Sequence, residues 1–152
     1  MFSGQELTLL VSKSQHLSPY FRGINSLDRL PTDVRLPPLC FIMNTDAANL
    51  PGTHWLAVLV LADQRGEVFD SFGEPPPPRL QLWMNKHCPR GWTANKVFIQ
   101  GPLSNVCGAY CLYYLYHRLV LKHSPTDIIQ KQLLARKGAD SFVLKRMRLY
   151  FK

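Results

Sequence analysis

Long apolar runs are missing from this chain. The longest, residues 55–62, is strand-sized and well short of the ~20 residues that cross a bilayer. The opening residues, Met1 to Glu6, lack a basic stretch followed by an apolar one, so no secretory leader is expected. No internal repeat is present. Cysteine is sparse, limited to Cys40, Cys88, Cys107 and Cys111. With 152 residues, 46% of them hydrophobic, the chain can bury a core without a disulfide framework. Cys107 and Cys111 are spaced as adjacent helical turns, and no second Cys or His pair has ligand spacing, which argues against zinc. Acidic residues number only 10 against 18 Lys and Arg, giving a net charge of +8. That balance favours acidic partners, nucleic acid first, although it also serves solubility. The expectation is one domain, residues 1–152, soluble, monomeric, not secreted and without membrane association.

What is present reads as an α+β fold. Ser3 and Glu6 form a capping box ahead of a short helix carrying Leu7, Leu10 and Val11 on one face. Pro19 to Gly23 reads as a loop, and Pro31, Pro37 and Pro38 keep the next stretch irregular. Residues 39–43 are predicted as a buried strand and 44–52 as a turn-rich loop. Residues 55–61 are nearly all apolar, as in a strand covered on both faces. A turn at 63–66 and a strand at 67–72 complete an antiparallel hairpin. Residues 75–78 are consecutive prolines, which form a stiff extended spacer. A short helix at 80–86, a strand at 97–100 and a loop at 101–105 follow. A helix from about 106 to 123, apolar on every side, is predicted to sit in the middle of the fold. Ser124 and Pro125 open another helix that Gly138 ends. The tail, 141–152, is amphipathic and basic. The architecture expected is a mixed, mostly antiparallel sheet packed on that central helix.

Three segments carry chemistry. Cys107 lies at the start of the central helix, after a loop of Gly, Pro, Ser and Asn. The unpaired amides and partial positive charge of a helix N-terminus favour a thiolate, the nucleophilic form of sulfur. Gly108 leaves room for a substrate backbone. His54 precedes the apolar strand, where an imidazole can take a proton from Cys107 and return it to a leaving amine. Asp70, in the partner strand, can accept a hydrogen bond from that imidazole and stabilise its cation. Gln100, seven residues before Cys107, can donate its amide to a developing oxyanion together with the Cys107 N–H. Cys40 and Cys111 read as small buried hydrophobes. His16, His87, His117 and His123 have no motif around them.

These segments resemble the adenovirus maturation protease family, the adenain-like cysteine proteases. The resemblance rests on His54-Trp55, on Asp70-Ser71-Phe72-Gly73, and on Gln100-Gly101-Pro102-Leu103-Ser104 with Cys107-Gly108. Pro19-Tyr20-Phe21 with Gly23, and Asn44-Thr45, also look like the family's early segments. Aspartate at 70 replaces the glutamate usual in adenoviral enzymes, and the chain is shorter than they are. Large DNA transposons and related viruses carry compact relatives. SUMO-specific proteases share the order His, acid, Gln, Cys, with one residue fewer between Gln and Cys.

The resemblance implies a cysteine endopeptidase that needs no cofactor for its chemistry. It would cut viral or mobile-element precursor proteins beside small residues such as glycine, in the virion and the host cell interior, including the nucleus. Trp55 would form one wall of a narrow substrate cleft. Activation by DNA is expected through Arg118, Lys122, Lys131, Arg136, Lys137, Lys145, Arg146 and Arg148. Activation by a viral peptide is expected near Cys88. Two other readings stand beside this one: a protease for ubiquitin-like modifiers, and a non-enzymatic basic DNA-packaging protein.

Overall fold

The capping box at the start of the chain is formed. Ser3 Oγ accepts from the Glu6 N–H at 3.1 Å, and Glu6 Oε1 accepts from the Ser3 N–H at 3.1 Å. These bonds satisfy two orphan donors and start helix α1, Gly4–Ser12. The computed structural model describes residues 2–46, 54–101 and 105–152. Gly52, most of the expected 44–52 loop, and Pro102-Leu103-Ser104 of the Cys107 motif lie outside the described residues.

Five strands follow α1: β1 (Phe21–Ser26), β2 (Leu39–Asn44), β3 (Trp55–Val60), β4 (Gly66–Phe69) and β5 (Trp92–Ala94), in the sheet order β1-β2-β3-β4-β5. The centre is the antiparallel set β2, β3 and β4. The two outer pairings, β1 with β2 and β4 with β5, are parallel. The sheet is therefore more evenly mixed than the sequence implies.

Residues alternate between the two faces of a strand, and both faces here are covered. Cys40, Ile42, Ala57, Leu59 and Phe69 pack on helix α3, Cys107–Leu119. Phe41, Met43, Leu56, Val58 and Val68 pack on helix α2, Pro78–His87, through Leu80, Trp83 and Met84. This explains why β3 reads as a continuous apolar run: all six of its residues are buried. Cys88 belongs to the second core and is 2% exposed. Its sulfur and the Met84 methyl occupy the space over Gly66.

α3 has the central place expected of it but ends at Leu119. After it, the Ser124 hydroxyl caps the Asp127 N–H at 3.1 Å, and residues Asp127–Leu134 form a π-helix. Gly138, at φ 69°, ends this stretch in the left-handed conformation. The basic tail is helix α4, Ala139–Tyr150, which lays Val143 and Met147 on the α3 core. No described helix is long and apolar enough to cross a membrane.

An ion pair ties the sheet to α3. Glu67 of β4 accepts from Arg118 Nε at 2.9 Å, from Arg118 Nη2 at 2.5 Å and from the Tyr114 hydroxyl at 2.7 Å. Arg118 also donates to the His123 carbonyl at 3.1 Å. Arg118 is thus a structural residue, and its expected role at a DNA surface is corrected.

Candidate active site

His54 stands immediately before β3, with its backbone carbonyl accepting from Thr45 N at 3.1 Å. Asp70 directly follows β4. The hairpin register pairs Ala57 with Phe69, which brings the beginning of β3 beside the end of β4. The result is a contact of 2.5 Å between His54 Nε2 and Asp70 Oδ1, with both side chains largely buried.

Asp70 is held from several sides. Its Oδ1 also accepts from the Phe72 N–H at 2.8 Å. The Asn95 side chain brackets its backbone: Asn95 Oδ1 accepts from Asp70 N at 2.8 Å, and Asn95 Nδ2 donates to Asp70 O at 2.6 Å. The turn closes with Gly73 N donating to Asp70 O at 2.9 Å. Gly73 has φ +64°, and a Cβ there would lie 2.6 Å from the Val97 carbonyl carbon. Gly73→Ala therefore meets both left-handed strain and a backbone clash. It is expected to cost more than about 1 kcal/mol of stability in a urea melt and to lower activity by loosening the Asp70 turn. A melt unchanged from wild type would show that this turn tolerates a side chain.

The imidazole is also held by stacking. Phe72 lies parallel to His54 at 4.6 Å, and Phe98 continues the stack on Phe72 at 5.2 Å.

Cys107 is the first residue of α3, as expected, and Val106 at the N-cap has no side-chain acceptor to offer the first turn. Both neighbours act on the protonation of His54. Burial pushes the imidazole down, but the Asp70 hydrogen bond and the adjacent Cys107 sulfur outweigh it and raise the pKa to about 9. His54 Nδ1 has no partner of hydrogen-bond geometry, while the Cys107 sulfur acts on the ring and favours its cation. That arrangement suits a base whose second nitrogen is reserved for the nucleophile.

The other cysteines differ in surroundings rather than in exposure. All four are free thiols and all are buried. Burial raises Cys40 and Cys111 far above the ordinary thiol value and Cys88 to about 11. The Cys111 thiol, one turn after Cys107, donates to the Trp55 carbonyl at 3.3 Å. Cys111 thus packs against the strand that carries His54, as a structural residue. Burial of Cys88 in the α2 core corrects the expected peptide tether there: no exposed sulfur is offered for exchange.

Gln100 is buried, 1% exposed. Residues 97–100 do not form the predicted strand. Instead Ile99 N and Gln100 N both donate to the Ser71 carbonyl, at 2.8 and 3.0 Å. The Ser71 hydroxyl donates to Gln100 Oε1 at 2.6 Å. The next residue, Gly101, donates its N–H to Asp140 Oδ1 at 3.3 Å, and the same oxygen accepts the Tyr110 hydroxyl at 2.5 Å. α3 and α4 therefore help to hold the Gln100 turn.

Two expected substrate contacts are placed elsewhere. Trp55 is 5% exposed, and its indole N–H donates to the Phe2 carbonyl at 2.9 Å. It is packed under the N-terminal segment rather than lining an open wall. The space left by Gly108 is taken by Leu7 and Phe2, whose atoms lie 3.1 and 3.4 Å from an added Cβ. The glycine thus serves α1–α3 packing, which corrects its expected role in admitting a substrate backbone.

Of the basic residues, Lys131 pairs with Asp127 at 3.1 Å on the surface. Arg136 and Arg146 lie over the Phe142 ring, at 3.7 and 5.3 Å from its centroid. Lys122, Lys137, Lys145 and Arg148 are exposed.

The sequence reading missed Asn95 and the positioning roles of Ser71, Phe72 and Phe98. Ser71 and Phe72 adjoin Asp70, a signal for proximity but not for bonding. Nothing in the sequence ties Asn95 to a residue twenty-five positions earlier.

No protein-family model matches the chain. Over 92 residues it is 32% identical to cysteine protease S273R of African swine fever virus (isolate Tick/Malawi/Lil 20-1/1983), covering 51% of this chain and 33% of that protein. The chain thus spans about a third of the length of that relative. A crystal structure of the African swine fever virus pS273R protease superposes with a TM-score of 0.59 at 25% identity, over 74% of this chain and 44% of that one. A second crystal structure of that protease gives a TM-score of 0.65 at 19% identity, over 89% and 61%. The fold is that of a viral cysteine protease. The central domain of the uncharacterized Lpg1148 protein from Legionella pneumophila shares it, with a TM-score of 0.55 at 15% identity over 98% of this chain and 94% of that one. Within this cysteine-protease fold, His54 stands just before β3, Asp70 just after β4, and Cys107 opens α3.

Proposed function

We propose that this chain is a cysteine endopeptidase with His54, Asp70 and Cys107 as its triad and Gln100 as an oxyanion donor. The observation that carries the proposal is the buried His54–Asp70 contact, with the Cys107 sulfur acting on the same ring. The likeness to the viral protease supports it.

In this mechanism His54 Nδ1 takes the Cys107 thiol proton, and Asp70 stabilises the imidazolium. The sulfur attacks the scissile carbonyl carbon. A C–S bond forms and the carbonyl π electrons move to oxygen, where the Gln100 amide and the Cys107 backbone N–H receive the charge. Collapse breaks the C–N bond, and His54 protonates the departing amine. A water then gives a proton to His54 and attacks the thioester, releasing the acid and restoring the thiol.

The seven-residue step from Gln100 to Cys107 favours an adenain-like enzyme over a SUMO-protease-like one. Precursor proteins cut beside glycine, in virions or host cells, are the substrates in keeping with that resemblance. No cofactor enters any step. The exposed Lys122, Lys137, Lys145 and Arg148, with Arg136 and Arg146, are the residues offered to DNA.

The test is cleavage of a Gly-Gly fluorogenic peptide by wild type and by Cys107→Ala, with and without DNA. Cleavage that vanishes in Cys107→Ala supports the reading; equal cleavage by both overturns the nucleophile. A rate that rises with DNA at low salt and loses the rise at high salt supports the basic surface, and no rise at low salt removes it.

A further inference from the structure

We propose that Ser71 is a positioning residue for the oxyanion donor: its hydroxyl holds the Gln100 carboxamide by the oxygen, turning the amide nitrogen toward the reacting carbonyl. The inference rests on the protease reading and extends it to a residue that the mechanism above does not use.

A glutamine side chain has one accepting end and one donating end. Only the donating end can stabilise an oxyanion; the other would set a carbonyl oxygen against developing negative charge. Something must therefore fix which end faces the substrate. Ser71 has the geometry to do this. Its hydroxyl proton goes to Gln100 Oε1 at 2.6 Å, so Nε2 lies on the far side of the carboxamide. Both residues are 1% exposed, where water does not compete for the bond and an unmade one is costly. The Ser71 carbonyl receives the Ile99 and Gln100 amides, so one residue fixes both the backbone and the side-chain orientation of Gln100. Ser71 also follows Asp70 directly. The turn that aims the carboxylate at His54 thus aims the oxyanion donor as well.

Two reagents separate this role from general support of the fold. A peptidyl glycinal adds its aldehyde carbon to the Cys107 sulfur and leaves an oxygen where the oxyanion forms. Iodoacetamide forms a C–S bond to the same sulfur and expels iodide, with no oxyanion. In Ser71→Ala, kcat and aldehyde affinity are expected to fall together by about 10- to 100-fold, up to the loss of one oxyanion donor. KM and the alkylation rate of Cys107 should stay near wild type. Added to Gln100→Ala, Ser71→Ala should cost nothing further, because the group it positions is gone.

Wild-type aldehyde affinity in Ser71→Ala would overturn the inference. So would a further full loss in the Gln100→Ala background, or a parallel loss of alkylation, which would place the damage in the triad. If Ser71→Ala does not fold, Ser71→Thr decides: it keeps the hydroxyl and should keep aldehyde affinity, and a folded, alkylating Thr variant that loses it overturns the role. Wild-type protein that neither takes the aldehyde nor alkylates at Cys107 would instead overturn the protease reading, and this role with it.

Discussion

Asp70→Asn is expected to move the alkaline limb of the kcat/KM profile downward from about pH 9 and to lower kcat at neutral pH by as much as ~10⁴-fold. Burial is the largest influence on His54 and acts to lower its pKa; the Asp70 bond and the Cys107 sulfur raise it against that pull. Asparagine retains an oxygen for the Phe72 N–H but removes the negative charge, so burial gains ground. The sign follows from linkage. The folded imidazole holds its proton up to about pH 9, against an ordinary value of 6.5. Its contribution to stability is therefore full below 6.5 and is lost as pH rises through 9. In Asp70→Asn that alkaline loss of stability should shrink along with the shift of the kinetic limb. An unchanged limb would mean that Asp70 does not govern His54.

Removing Glu67 is expected to be the most destabilising single change on the surface between sheet and α3. The Glu67–Arg118 pair is mostly buried, at 9% and 15% side-chain exposure. Glu67→Ala leaves the guanidinium buried with only the His123 carbonyl, and it orphans the Tyr114 hydroxyl. Breaking such a pair costs about 3–5 kcal/mol, which for a chain of this size lowers Tm by roughly 10 °C. The double variant Glu67→Leu/Arg118→Met should recover much of that loss, because no buried charge remains unpaired. A thermal melt of the three proteins checks this. A Glu67→Ala Tm within a degree or so of wild type would show that the pair is not held as described.

The parts legible in the sequence are those whose signal is local. The α1 capping box, the apolar β2 and β3 and the turn into β4 follow from propensity and pattern, and they place His54 and Asp70 side by side. The start of α3 at Cys107 follows from the Gly/Pro/Ser/Asn loop before it. What could not be read depends on partners distant in sequence. β1 carries Arg22, Gly23 and Asn25 and reads as a loop; its strand character comes from parallel pairing with β2. β5 is only three residues long and owes its place to β4. Residues 97–100 look apolar enough for a strand, yet their amides turn to Ser71 instead.

The same division runs through the site. His54, Asp70, Gln100 and Cys107, the proposed catalytic residues, stand out by residue type, order and spacing. Asn95, Ser71 and Asp140 act through hydrogen bonds that only the folded chain creates. Charge misled in one case: Arg118 looks like part of a basic surface but is spent on Glu67. Chemistry misled in another: Cys88 is a thiol close to the expected tether, but it fills the α2 core above Gly66.

The most direct test of the triad is site-resolved alkylation. Wild type and His54→Ala are treated at neutral pH with a substoichiometric peptidyl electrophile, and the modified cysteine is mapped by mass spectrometry. Wild type should be labelled at Cys107 and not at Cys40, Cys88 or Cys111, whose thiols burial holds above their ordinary value, and His54→Ala should lose that label. Labelling spread over several cysteines, or at Cys107 with the same rate in His54→Ala, would contradict the assignment of His54 and Cys107 as base and nucleophile.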